Sequence, residues 1–212
     1  MTKCYLFNAQ SIVNKLSELQ YLLYVDNCEC LFITESWLHT DISNGLIDPN
    51  GQFTVIRKDR SWGRCALIKR QYSVIPITFA AKYEHLEIIG FDIVNSCPKL
   101  RVFVIYRPPH YSSQEATHNE MLIRCLYEHR NIRYYHVMGD FNLPKIDWNT
   151  MCCPNDRVSK PFLNLFVVCV YSQLVNFSTR GNKVLDFILT DDDLLIHNIE
   201  PAHQLAAVTT FV

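Results

Sequence analysis

Apolar residues along this chain switch repeatedly between a strand period and a helix period. Residues 4–8 form a short apolar strand, and Ile12, Val13, Leu16, Leu19, Leu22 and Leu23 then recur at helical spacing, which predicts an amphipathic helix over 11–25. Residues 30–35 read CLFITE, a buried strand ending on a carboxylate. Asn44-Gly45 and Asp48-Pro49-Asn50-Gly51 carry turn chemistry. Strand-like runs follow at 53–57, 65–69, 73–79, 85–94 and 100–106, the last stopped by Arg107-Pro108-Pro109. Ser112 and Glu115 have capping-box spacing ahead of a helix over 113–129, with Met121, Leu122, Cys125 and Leu126 on its inner face. A strand over 134–138 precedes Gly139. A helix starting near Ser159, with Pro161 in its first turn, is apolar nearly all round, which predicts deep burial. Residues 184–190 read as a strand, Asp191-Asp192-Asp193 as a solvated turn, and a last strand starts near Ala206. So many strands with so few helices between them argue against a doubly wound sheet and for two stacked sheets with helices outside.

Composition narrows this picture. The 212 residues suit one domain over 1–212, and 49% hydrophobic with 19% charged residues exclude a disordered tail. The longest unbroken apolar run, 165–171, is far short of the ~20 residues that span a bilayer. The start, MTKCYLFNAQ, lacks the apolar core and cleavage site of a signal peptide, so the expectation is an intracellular protein, nuclear or cytoplasmic, with no membrane association. Nine cysteines contain no C-x-x-C pair, which leaves reduced thiols rather than a zinc site or a disulfide framework. The net charge of −1 does not advertise a nucleic-acid binder. Residues 57–70, however, hold Arg57, Lys58, Arg60, Arg64, Lys69 and Arg70 against a single Asp59. Such a stretch either follows a phosphate backbone or forms a solvated sheet edge.

Candidate chemistry gathers at four strand ends: Phe7-Asn8, Thr34-Glu35, Tyr106-Arg107 and Gly139-Asp140-Phe141-Asn142. A carboxylate straight after an apolar strand is costly unless it is paired or binds a cation. Hard oxygen donors beside amides suit Mg²⁺, which takes one or two carboxylates and keeps waters.

In order and spacing these segments resemble the endonuclease/exonuclease/phosphatase superfamily, the DNase I-like fold. They are most similar to endonuclease domains of non-LTR retrotransposons. The matching segments are Asn8-Ala9-Gln10-Ser11-Ile12-Val13-Asn14-Lys15-Leu16, Ile33-Thr34-Glu35-Ser36-Trp37-Leu38, Tyr106-Arg107-Pro108-Pro109, Met138-Gly139-Asp140-Phe141-Asn142 and Leu185-Asp186-Phe187-Ile188-Leu189-Thr190. The resemblance implies an α/β four-layer sandwich of two stacked mixed sheets flanked by helices. It implies Mg²⁺, with Mn²⁺ as the alternative ion, held by Glu35 and Asn8. It also implies that Asp140 aligns or activates the attacking water, Asn142 stabilises the transition state, Tyr106 lies near the scissile phosphate, and Asp186 supports the catalytic groups. Arg107 and Arg180 are implied phosphate contacts, and Arg64 and Lys69 join them from the basic stretch. Glu35, Asn8, Asp140 and Asn142 are therefore expected in one cleft.

The implied reaction is metal-dependent hydrolysis of a phosphodiester, nicking DNA to leave a 3′-hydroxyl that primes reverse transcription. DNA is the implied partner, with no obligate protein partner. No reverse-transcriptase segment is present within these residues, which gives the expectation of a detached domain with a truncated or aberrant end.

Two departures stand out. A glycine-rich entry to the strand near residue 64 is reduced to Gly63 in Arg60-Ser61-Trp62-Gly63-Arg64-Cys65. The family's terminal Ser-Asp-His is matched by His203-Gln204-Leu205, so Gln204 and Leu205 stand at the Asp and His positions; a slipped alignment would give the role to His203. Two alternatives therefore accompany the enzyme reading: a catalytically impaired relic that only binds nucleic acid, and another phosphoesterase of the superfamily.

Overall fold

The computed structural model describes residues 2–59, 62–109, 115–130, 134–202 and 205–211. Arg60, Ser61, Ser112, His203 and Gln204, singled out in the sequence, lie outside the described residues. Two six-stranded sheets stack face to face. The first has the order β11 (Ile196–Ala202), β12 (Leu205–Phe211), β1 (Thr2–Asn8), β2 (Cys30–Thr34), β4 (Arg64–Lys69) and β3 (Phe53–Lys58). The second has the order β5 (Val74–Pro76), β6 (Ile88–Ile93), β7 (Leu100–Tyr106), β8 (Tyr135–Asp140), β10 (Asp186–Thr190) and β9 (Ser172–Gln173).

Each sheet contains one parallel pair, β1–β2 in the first and β7–β8 in the second; the other pairs are antiparallel. Parallel neighbours need a crossover, usually helical. Here α1 (Leu16–Tyr24) and α3 (Glu115–Glu128) provide it, while α2 (Asn44–Ile47) and α4 (Ser159–Val168) lie on other connections. The two crossovers deliver the C-terminal ends of four strands to the same end of the molecule.

Strand alternation sorts side chains into three apolar layers. Leu6, Phe32 and Ala66 from the first sheet meet Phe91, Val104, Met138 and Ile188 from the second. On the outer face of the first sheet, Phe7, Leu31 and Leu67 pack with Leu19, Leu22 and Leu23 of α1. On the outer face of the second, Phe103, Val137 and Phe187 pack with Leu122 and Leu126 of α3 and Phe162 and Phe166 of α4. The result is the four-layer α/β sandwich with mixed sheets. Among the described residues no helix is long and apolar enough to cross a membrane.

Several elements differ from expectation. The first helix is shorter: a 3₁₀ turn at Val13–Lys15 leads into α1. The N–H groups of Ala9, Ser11 and Ile12 instead donate to the carbonyls of Thr34, Glu35 and Ser36, tying this segment to the end of β2. The strand expected over 73–79 is only Val74–Pro76, with the Ile77 N–H still donating to the Gly90 carbonyl just beyond it. β8 runs on to Asp140, so that carboxylate belongs to the strand. α4 is not buried all round: Phe162, Leu163 and Phe166 face the sheet, while Val167 and Val168 in its last turn are exposed.

Candidate active site

Following the inter-sheet layer toward the shared end of the strands, its apolar residues give way to polar ones. Leu6 is followed by Asn8 two residues on, Phe32 by Thr34, Val104 by Tyr106 and Met138 by Asp140; on the antiparallel strands Ala66 is preceded by Arg64 and Ile188 by Asp186. Register aligns them into two rows. Asn8 pairs with Thr34 and Thr34 with Arg64 in the first sheet; Tyr106 pairs with Asp140 and Asp140 with Asp186 in the second. The site is thus the last, polar layer of the sandwich.

Asn8 joins the two sheets. Its Nδ2 donates to Glu35 Oε1 at 2.9 Å and to Asp140 Oδ2 at 2.8 Å. Glu35 is held in the left-handed region, φ 49°, directly after β2, an uncommon conformation for a non-glycine residue. Gly139 lets β8 lie close against β7: at φ 144°, a Cβ there would lie 1.8 Å from the Ile105 carbonyl oxygen. The loop after β8 turns at Asn142, φ 48°, where the Asn142 N–H donates to Asp140 Oδ1 (3.1 Å) and its side-chain Nδ2 to the Arg107 carbonyl (2.9 Å). Thr179 Oγ1 accepts from the N–H groups of Leu185 and Asp186 and fixes the start of β10.

Electrostatics follow from this burial. Asp140 is pushed up to about 7, first by desolvation and then by the neighbouring Asp186 charge, with Arg180 and the Asn8 hydrogen bond pulling the other way. Asp186 is also raised, chiefly by burial. Burial and the nearby Glu35 and Asp140 charges raise Tyr106, so its hydroxyl stays protonated at neutral pH. Arg180, half-exposed, has Nη2 3.6 Å from Asp140 Oδ2.

Among the described residues no three His, Cys, Asp or Glu side chains gather into a metal-holding cluster. The donor set still fits a hard divalent cation. Among the described residues Asn8 Oδ1 and Asp186 Oδ1 are buried oxygens with no hydrogen-bond donor, and the Asn8 amide is bonded to the Glu35 carboxylate. Few carboxylates plus amide oxygen is the sparse oxygen set of a Mg²⁺ that keeps its waters.

Residues 100–207 match the family described as Endonuclease-reverse transcriptase, a segment covering half of the chain. The chain belongs to this family. No curated protein sequence matches the chain. Among solved structures it is similar to an AP endonuclease from Archaeoglobus fulgidus, with 13% identity, a TM-score of 0.72, and coverage of 100% of this chain and 99% of that one. It is similar to the endonuclease domain of TRAS1, a telomere-specific non-LTR retrotransposon, with 13% identity, a TM-score of 0.72, and coverage of 99% and 97%. It is also similar to the 3′ phosphatase NExo from Neisseria bound to a product DNA hairpin, with 16% identity, a TM-score of 0.71, and 100% coverage of both chains. These likenesses establish the DNase I-like fold.

Within this endonuclease-reverse transcriptase fold the expected site residues separate into two groups. Asn8, Glu35, Tyr106, Asp140, Asn142, Asp186 and Arg180 gather at one end of the sandwich. The other three need correction as direct phosphate contacts. Arg64 is fully buried and paired with Glu87, because its register beside Thr34 turns it inward. Arg107 is 1% exposed; it donates to the Phe141 and Asn142 carbonyls and to Glu115 Oε1, so it holds the Asn142 loop. Lys69 lies at the opposite end of β4, against Phe53. Two more cations of the basic stretch are structural as well: Arg57 pairs with Asp59 and donates to the His39 and Ile42 carbonyls, and Lys58 donates to the Glu84 and Leu86 carbonyls. Sequence reasoning gave no role to Thr179, which carries no charge, or to the exposed pair Trp37 and Trp62, although Trp37 lies in the matching segment 33–38 and Trp62 beside Gly63.

Proposed function

We propose that this chain is a divalent-metal-dependent phosphodiester hydrolase that nicks one strand of DNA and leaves a 3′-hydroxyl suited to priming reverse transcription. The observation that carries this reading is the Asn8 amide bridging Glu35 and Asp140, one carboxylate from each sheet. Glu35 and the free Asn8 Oδ1 would hold the cation, which when bound supplies positive charge against the phosphate oxygens. Asp140, raised to about 7, is poised as a base that aligns and deprotonates a water near neutral pH. Asn142 spends one N–H on the Arg107 carbonyl and keeps the other for the charge that develops on phosphate. Neutral Tyr106 presents a hydroxyl donor, and half-exposed Arg180 a cation for the same phosphate.

Supercoiled-plasmid nicking tests this. Relaxed circles are expected with Mg²⁺, none with chelator, and none beyond background for Glu35→Gln. Equal nicking with and without chelator, or by Glu35→Gln, overturns it. One observation favours a second reading, an impaired relic that binds nucleic acid: Gln204 and Leu205 stand where the family has Asp and His. On that reading the chain binds DNA but nicks weakly, and Gln204→Asp with Leu205→His raises nicking by about 10²–10⁴-fold, the usual contribution of a positioned acid–base group.

A further inference from the structure

Two of the three tryptophans of this chain are exposed side by side on the rim of the site. Trp37 is 44% and Trp62 39% exposed, with ring centroids 6.5 Å apart. Trp62 in turn lies 5.7 Å from the Tyr106 ring, and Tyr106 is beside Asp140 in register and has Glu35 as a hydrogen-bond partner. An aromatic series thus runs outward from the carboxylates: Tyr106, Trp62, Trp37.

The backbone is built to hold these indoles out. Trp37 sits in the left-handed region at φ 52°, which a bulky side chain adopts only when its surroundings impose it. The Trp37 N–H donates to the Trp62 carbonyl and the Ser36 N–H to the Gly63 carbonyl, both at 3.1 Å. Gly63, at φ 62°, allows the contact, since a Cβ there would lie 2.5 Å from Ser36 Oγ. Two loops from different strands are therefore locked together, with both tryptophans presented to solvent next to the candidate catalytic groups.

We propose that Trp37 and Trp62 form a stacking platform for an unpaired nucleobase of the strand being cut, adjacent to the scissile phosphate; this rests on the nuclease reading above. In a continuous duplex the faces of the bases are covered by their neighbours, so an exposed indole gains a stacking partner only from a base that has left the stack. A flat, apolar face continuous with a phosphate-cleaving site fits that occupant, and stacking tolerates any base because each has a π-face. The platform therefore selects for local strand structure, not for base sequence.

The test is binding in EDTA to two DNA hairpins that differ only by one unpaired nucleotide. The native chain is expected to bind the hairpin with the unpaired nucleotide about tenfold more tightly, the size of one base–aromatic stack. Trp37→Ala and Trp62→Ala should each abolish the preference, and Trp37→Phe should keep most of it. The slope of log affinity against log salt should stay the same in the alanine variants, because no phosphate contact is lost. Tryptophan fluorescence should be quenched on binding, and Trp148, packed against Phe166 and Phe187, provides the unquenched signal in the double alanine variant.

Equal affinity for the two hairpins, an unchanged preference in Trp37→Ala, or no binding at all overturns the platform. Plasmid nicking is scored separately. A chain that nicks but shows no preference loses the platform alone, and one that shows preference and quenching but never nicks loses the nuclease reading alone.

Discussion

At one end of β1 and β2, Cys4 lies in register with Cys30; four residues on, at the other end, Asn8 lies in register with Thr34. The strands and the inter-sheet face are the same, yet the two ends treat buried polarity in opposite ways. At the thiol end a cavity of about 170 Å³ is lined by Cys4, Cys30, Phe32, Leu100 and Val102. Burial raises the Cys4 and Cys28 thiols and lowers His136 to about 4, so each group there stays neutral at physiological pH. At the carboxylate end, Asp140 and Asp186 are buried next to one another in register, and repulsion adds to desolvation. One end is arranged for packing. The other keeps an unfavourable concentration of acceptors that a bound cation would relieve.

This contrast is open to direct attack. The largest effect is expected from Asp140→Asn, which should lower plasmid nicking by about 10²–10⁴-fold, or roughly 3–5 kcal/mol of barrier, without unfolding the chain. Cys30→Ala at the far end should leave nicking unchanged. Equal losses for the two variants would erase the distinction between the ends.

Arg64 comes next. Removing it by Arg64→Ala strands Glu87, which is only 11% exposed, and should cost about 3–5 kcal/mol in urea unfolding. Replacing the pair together, Arg64→Met with Glu87→Met, should cost much less. A mild single variant would return Arg64 to the surface role that its charge suggested.

The two ends should also respond to pH with opposite signs. His136 has a folded value of about 4 below an ordinary 6.5, so its contribution is present above pH 6.5 and is lost as pH falls toward 4; the size is on the order of 3 kcal/mol. Asp140 has a folded value of about 7 above an ordinary 3.8, so its contribution is present below that value and is lost as pH rises through 7. In metal-free buffer both changes fall between about pH 4 and 7, so relative to the native chain stability should fall from pH 5 to pH 8 in His136→Gln and rise over the same interval in Asp140→Asn. Chemical unfolding at pH 5 and pH 8 measures both.

The smallest effects concern DNA affinity. Arg180→Ala should reduce the salt slope of binding by about one unit, whereas Lys69→Ala, at the thiol end, should change neither affinity nor slope. A reduced slope for Lys69→Ala would restore the basic stretch as a phosphate track.

Much of the fold was legible because strand and helix periods differ and because residues 100–106 and the helices at 115–128 and 159–168 carry strong patterns. β9 and β11 went unseen. The first is only Ser172–Gln173, and the second is a polar run, IHNIEPA, at a sheet edge. At the site, motif order identified Glu35, Asp140 and Asn142, since a carboxylate after an apolar strand is conspicuous in sequence. The destination of a positive charge is not. Arg64, Arg107 and Lys69 look alike as letters, but register turns the first inward, loop closure engages the second, and strand direction carries the third to the far end. The two tryptophans were also beyond pattern reading, because their exposure depends on a left-handed backbone at Trp37 and on the single Gly63 facing it.

The Asn8 amide also acts as an alignment gauge. It grips one carboxylate from each sheet at 2.9 and 2.8 Å, and neither grip tolerates a slide of the sheets by even a fraction of the ~3.3 Å strand repeat. One layer in from the site, the rings of Phe32 and Phe91 stack across the two sheets with centroids 6.3 Å apart and resist the same slide. Trimming the ring by Phe91→Leu is therefore expected to loosen the alignment of the two carboxylates before it unfolds the sandwich, read as weaker plasmid nicking at only a small loss of stability in urea.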